Sequence, residues 1–130
     1  MTGKAKVMNR IFFALVSMIL ANLALSPAVQ AQNQAEGKKL YLSYCTTSHG
    51  DTGKGDGMAG SSLPVKPADH TNGAVMNKLS DAFLINIISK GGSGAGKSSF
   101  MPSWSGALTD QQIRDIVAYI RSLAVPPYRP

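Results

Sequence analysis

The chain has 130 residues, 44% of them hydrophobic and 15% charged, with a formal net charge of +6. That length admits one domain of ordinary size and excludes a TIM barrel or a two-domain dehydrogenase, and the apolar fraction excludes a disordered chain. A single cysteine excludes an intramolecular disulfide scaffold and a cysteine-only zinc site.

At the N-terminus, Lys4, Lys6 and Arg10 precede an apolar stretch of 15 residues, Ile11 to Leu25, interrupted only by Ser17 and Asn22. Pro27 breaks the stretch, and Val29 and Ala31 supply small residues at a cleavage site. This pattern predicts a secretory signal peptide over residues 1–31 and a domain over residues 32–130. The competing assignment is an uncleaved membrane anchor, for which the run is short, since a span takes about 18 or more apolar residues. Cleavage would remove three of the 13 basic groups and leave a balance of +3 on 99 residues. The remaining Lys and Arg are scattered, which argues against nucleic acid. In an exported chain an unpaired Cys45 is expected to be occupied or buried.

Three helices are expected next. The first covers about Gln34 to Tyr44, where Gly37, Leu40, Tyr41 and Tyr44 share one face. The second covers about Ser80 to Lys90, with Ser80 as N-cap and Gly91-Gly92 as stop. Its apolar residues Phe83, Leu84, Ile87 and Ile88 suit a helix, and its β-branched content also allows a strand. The third opens on a capping box, Thr109 and Gln112, and places Ile113, Ile116, Val117, Ile120 and Leu123 on one face before Pro126-Pro127. The rest reads as loop. Gly50 to Asn72 and Gly91 to Gly106 each hold five glycines, and two loops of that length need something to order them. The fold class expected is all-α, with long loops wrapped round a ligand.

Two nucleotide-like patterns occur. Gly91 to Ser98 reads GGSGAGKS, a literal phosphate-loop match. A phosphate loop needs a preceding strand and a helix at its Lys-Ser end, and Pro102 falls where that helix would need backbone N–H groups. Gly55, Gly57 and Gly60 fit G-x-G-x-x-G, but no strand precedes them. Both are expected to be flexible loop.

The segment Cys45-Thr46-Thr47-Ser48-His49 carries the chemistry. A thiol can add to a porphyrin vinyl group, and an imidazole four residues on can ligate the iron of that porphyrin. The haem attachment signature is C-x-x-C-H, and here Ser48 stands where the second Cys belongs. Iron takes a second axial ligand, often a Met thioether. Met101 follows His49 by 52 residues, and Pro102 stiffens its presentation. His70 is the rival second ligand, expected to be solvated in a polar turn. Met58 and Met76 are expected to be core filler.

The set AEGKKLYLSYCTTSHG, GDTGKGDG, LPVKPAD, FMPSW and LTDQQIRDIVAYIRSL resembles the class I c-type cytochromes, specifically the small bacterial periplasmic ones, over nearly all of residues 32–130. The resemblance implies a few helices around one haem c, with the first and last helices crossing at Gly37 and with Tyr119 as the aromatic partner. It implies His49 as proximal and Met101 as distal iron ligand, and Cys45 as the single thioether-forming residue. A carbonyl around Pro64, or its rival Pro67, would orient the His49 ring, and Trp104 would pack near a haem edge or propionate. The implied function is one-electron transfer in the periplasm, not enzymatic catalysis, with redox partners that dock through acidic patches. The alternatives are a haem-binding sensor in which Met101 is labile, and a haem-less structural subunit in which Ser48 blocks attachment.

Overall fold

A computed structural model describes residues 31–129. The expected signal peptide falls outside the described residues except for Ala31. Five α-helices follow: α1 (Gln34–Tyr44), α2 (Thr46–His49), α3 (Gly73–Met76), α4 (Asp81–Gly94) and α5 (Asp110–Leu123), with a 3-10 turn at Gly60–Ser62. Among the described residues the only extended pairing is an isolated bridge between Asn72 and Val125. The all-α class and the three long helices are therefore as the apolar periodicity predicts. None of the described helices is long and apolar enough to cross a membrane.

Local chemistry sets where the helices begin. The Asn33 side chain accepts hydrogen bonds from the backbone N–H groups of Ala35 and Glu36, both at 3.1 Å. Ser80 Oγ accepts from Phe83 N–H at 3.1 Å. At α5 the Thr109 hydroxyl accepts from Gln112 N–H and the Gln112 side chain accepts from Thr109 N–H, a complete capping box. Each cap satisfies donors that the first turn leaves orphaned. Gly91, at φ 75° and ψ 174°, breaks α4 where the glycine pair predicts a stop, and a further turn runs on to Gly94. α5 ends at Leu123 with Ala124 extended, two residues before Pro126.

The core lies where α1, α4 and α5 meet. Ile113, Ile116, Val117 and Tyr41 are fully buried, with Leu84, Ile88 and Ile120 around them. α1 and α5 cross in direct backbone contact. A Cβ at Gly37 would fall 1.8 Å from the Asp115 carbonyl oxygen, so only glycine permits that approach. Tyr119 is buried one turn further along α5 and meets Tyr41 edge to face, with centroids 5.1 Å apart. Arg121 then ties α5 to the α3–α4 connection. Its guanidinium donates to Asp81 Oδ1 at 2.8 Å, to Met76 O at 2.8 Å and to Leu79 O at 2.6 Å.

Three expectations need correction. The segments 46–49 and 73–76 are single helical turns, too short to show a period in sequence. Met58 is not core filler: it is 87% exposed, whereas Met76 is buried at 2%. His70 is not solvated: it is 7% exposed and stacks on the ring of His49.

Candidate functional site

Cys45 closes α1, and α2 starts on the next residue, so His49 is the last residue of a single turn. The 50–60 loop folds back over that turn. Gly55 N–H donates to His49 O at 2.8 Å, Gly57 N–H to Ser48 O at 3.2 Å and Ala59 N–H to Thr47 O at 2.8 Å. A Cβ at Gly57 would lie 2.3 Å from Thr46 O, so the glycine is needed for close packing on α2. The G-x-G-x-x-G pattern is therefore a clasp for the Cys45–His49 turn.

The second glycine-rich stretch holds Met101. Gly92 N–H donates to Met101 O at 2.9 Å. Gly91 sits at positive φ, and a Cβ there would meet Met101 O at 2.8 Å. The backbone around Met101 is thus seated on the break at the end of α4. Among the described residues no strand precedes GGSGAGKS, and its first two glycines, Gly91 and Gly92, make this contact. Isothermal titration of the protein with ATP and magnesium is accordingly expected to give no heat beyond dilution. Specific binding that is lost in Lys97→Ala would contradict that expectation.

Between these two segments lies a cavity of about 400 Å³. Cys45, Ser48 and His49 line one part of it, and Met101, Pro102 and Trp104 line another. Most of the remaining lining is aliphatic or aromatic, from α3, α4 and the loops. The charged lining residues are Lys66 and Lys97, and no carboxylate lines it. Trp104 also packs edge to face on Tyr44, centroids 5.4 Å apart.

His49 Nδ1 lies 3.2 Å from Ala68 O. A carbonyl only accepts, so Nδ1 carries the proton and Nε2 keeps its lone pair for a metal. The carbonyl is neither that of Pro64 nor that of Pro67: the 63–69 turn presents the next residue after Pro67, a one-residue offset that sequence spacing does not resolve. Burial lowers the His49 pKa below its ordinary value, against the pull of the Ala68 hydrogen bond, so the ring is neutral at pH 7. Burial, with His49 beside it, pushes His70 down to about 3. Burial pushes the Cys45 thiol up to about 12, so it is no thiolate nucleophile at neutral pH.

His70 stacks on the face of His49, with centroids 4.4 Å apart and planes 18° apart. His49 would hold a metal through Nε2, and a second protein ligand would have to reach that metal from across the cavity. A ring on the face of His49 is not in that position. Of the two rival second ligands, His70 is therefore on the His49 side, whereas Met101 is presented by a different loop. The sequence flagged neither the stack nor the Tyr41 hydroxyl, which lies 3.1 Å from His70 Nδ1.

The donor set suits a haem. An apolar cavity of this size fits a large flat ligand. An imidazole and a thioether are available as axial donors, a cysteine as tether, and lysines without carboxylates suit acidic substituents.

A family model described as "Cytochrome C oxidase, cbb3-type, subunit III" matches residues 32–120. A curated relative from Azospirillum sp. (strain B510), "Cbb3-type cytochrome c oxidase subunit CcoP", is 31% identical over 100 residues, covering 74% of this chain and 30% of that protein. The chain thus spans less than a third of the length of that relative. A solved structure titled "KustC0563 c-type cytochrome" superposes with a TM-score of 0.56 at 26% identity, over 68% of this chain and 96% of that one. Another, from the "Kuenenia stuttgartiensis reducing HAO-like protein complex Kustc0457/Kustc0458", gives a TM-score of 0.59 at 26% identity, over 75% of this chain and 48% of that one.

Proposed function

The chain belongs to the cytochrome c oxidase cbb3-type subunit III family of c-type cytochrome domains, and on that premise we propose that it is an exported one-electron carrier with one haem c ligated by His49 and Met101. As a cytochrome c domain it is a haem protein of electron transfer. The observation that carries the finer proposal is the shared cavity, with His49 and Met101 on its lining from two separately clasped loops.

A bound haem iron would supply the one-electron couple. The protein's own residues do the rest. Ala68 O holds the His49 proton on Nδ1. The Gly91-Gly92 break seats the Met101 backbone. Leu84, Ile88 and Ile120 keep water from the interior side of the cavity. His49 and Met101 would together hold the iron and leave no open position for substrate, so the domain would carry electrons and do no chemistry on a bound substrate. The thioether and the apolar surroundings both favour the ferrous state. Lys66 and Lys97 at the cavity, with the basic balance of residues 32–130, suit a redox partner that presents an acidic patch, and that attraction weakens with salt. Export through the signal peptide of residues 1–31 would place the carrier in the periplasm. A class I cytochrome is the nearest description.

Attachment is through Cys45 alone. Ser48 lines the same cavity, but a hydroxyl does not form the thioether. Each thioether replaces a conjugated vinyl group by a saturated carbon and moves the absorption to the blue. The pyridine haemochrome is therefore expected between those of haem b and doubly attached haem c. Acid–acetone should leave the haem on the chain. Ser48→Cys should move the spectrum to the two-thioether position and raise the melting temperature, since a second tether restricts the unfolded state. Complete extraction by acid–acetone would refute the Cys45 link, and protein with no Soret band after export would refute the carrier.

A further inference from the structure

The His49 ring is held by one hydrogen bond, the contact to Ala68 O, and at 3.2 Å it is at the long end of the ordinary range. Such a bond assigns the tautomer but resists tilting of the ring only weakly. The flat face of His70 also lies against the ring, with centroids 4.4 Å apart and planes 18° from parallel.

His70 is itself pinned on three sides. Its backbone N–H donates to Gly53 O at 2.7 Å. Its Nδ1 is 3.1 Å from the Tyr41 hydroxyl, and its ring meets the Tyr41 ring edge to face at 5.8 Å. Tyr41 is fully buried. It in turn meets Tyr119 edge to face at the α1–α5 crossing. Four rings therefore run from the cavity wall to the α1–α5 crossing, in the order His49, His70, Tyr41, Tyr119.

A buried polar side chain has a cost unless it is paired, and a Leu or Phe would fill the place of His70 without one. His70 makes no contribution as an iron ligand trans to His49, for the geometric reason given above. Its position on the His49 face is where a flat plate restrains rotation of that ring. We propose that His70 is a positioning residue: held by Tyr41, it clamps the face of the His49 imidazole and sets the direction in which the axial ring plane lies.

The orientation of an axial imidazole plane decides which iron d orbital carries the unpaired electron of a low-spin ferric haem. It therefore shows in the g values and in the spread of the haem-methyl proton shifts. A merely structural role for His70 would change stability and leave those signatures in place. The inference rests on the haem ligation proposed above, and the test separates the two.

The haem-loaded protein, His70→Ala, Tyr41→Phe and the double variant His70→Phe/Tyr41→Phe are compared by electron paramagnetic resonance and by proton NMR. His70→Ala is expected to shift the g values and reorder the haem-methyl resonances. Tyr41→Phe should shift both in the same sense by less. The double variant keeps two flat rings and leaves no unpaired polar partner, so it should return the parent values. Parent g values in His70→Ala overturn the clamp, and so do parent values in Tyr41→Phe if His70→Ala does not accumulate. A parent protein without low-spin haem would defeat the ligation instead. In that case the full protein as purified still reads the clamp, through nuclear Overhauser contacts between the His49 and His70 ring protons. Those contacts are expected, and their absence overturns the proposal by itself.

Discussion

Met101→Ala is expected to abolish the far-red charge-transfer absorption of the oxidised protein and to lower its reduction potential. The thioether is a weak donor that favours ferrous iron. Its replacement by water or by an empty position removes that preference. A fall on the order of 0.1 V is expected, a modest part of the roughly 0.8 V over which axial ligands set haem potentials. The loop itself should survive, because the hydrogen bond from Gly92 is made to the Met101 backbone carbonyl and not to the side chain. The effect can then be ascribed to the lost ligand and not to a collapsed loop. His70→Ala is the control. It stacks on the face of His49, so the charge-transfer band should remain after its removal. A band that survives Met101→Ala and vanishes in His70→Ala would reverse the assignment. The sensor alternative makes a different forecast: high-spin iron in the unmodified protein, with Met101 already off the metal.

Gly37→Ala is expected to destabilise the fold strongly by forcing α1 away from α5. Its Cβ would fall 1.8 Å from Asp115 O, 2.4 Å from Asp115 C and 3.0 Å from Ile116 N. All three atoms are backbone within α5, so no side chain can turn aside. The two helices must separate, and Tyr41 and Tyr119 lose their contact with them. Overpacking of this kind costs about 3 kcal/mol, offset by about 1 kcal/mol from the better helix propensity of alanine. The net loss of about 2 kcal/mol corresponds to a fall in melting temperature of roughly 10 °C for a domain of this size. Urea titration of the protein as purified, followed by circular dichroism, measures it. A midpoint unchanged within error would mean that α1 and α5 are not in backbone contact at this point. Gly106→Ala is a suitable reference, since a Cβ there meets nothing within 4 Å.

The three long helices were legible in the sequence because each carries its own local information. α5 has a capping box and an apolar face of five residues, which leaves no other conformation able to satisfy both. α1 shows Gly37, Tyr41 and Tyr44 at helical spacing, and α4 is bracketed by Ser80 and by Gly91-Gly92. The candidate ligands were legible for a similar reason. Cys45, Ser48 and His49 are close in sequence, so their chemistry can be read without a fold. Met101 was harder, being 52 residues away, and the proline after it was the local sign.

What only the tertiary structure decided lies between segments that are distant along the chain. Gly91 and Gly92 of GGSGAGKS and the glycines of the Gly55–Gly60 run could be read as loop, but not as the seats of Met101 and of the Cys45–His49 turn. A glycine needed for close approach looks in sequence like any other glycine. The Ala68 carbonyl replaced the Pro64 or Pro67 carbonyl because the hydrogen bond depends on the path of an irregular turn, which has no period. His70 shows the limit most clearly. Its neighbours in the chain, Asp69, Thr71 and Asn72, are polar, and from them a solvated side chain follows. Burial is instead imposed by Tyr41, 29 residues earlier, and by the face of His49. Local pattern determines which helices form and which donors are available. The environment of a side chain is set by whatever the crossing of α1 and α5 brings against it, and that depends on contacts no short window contains.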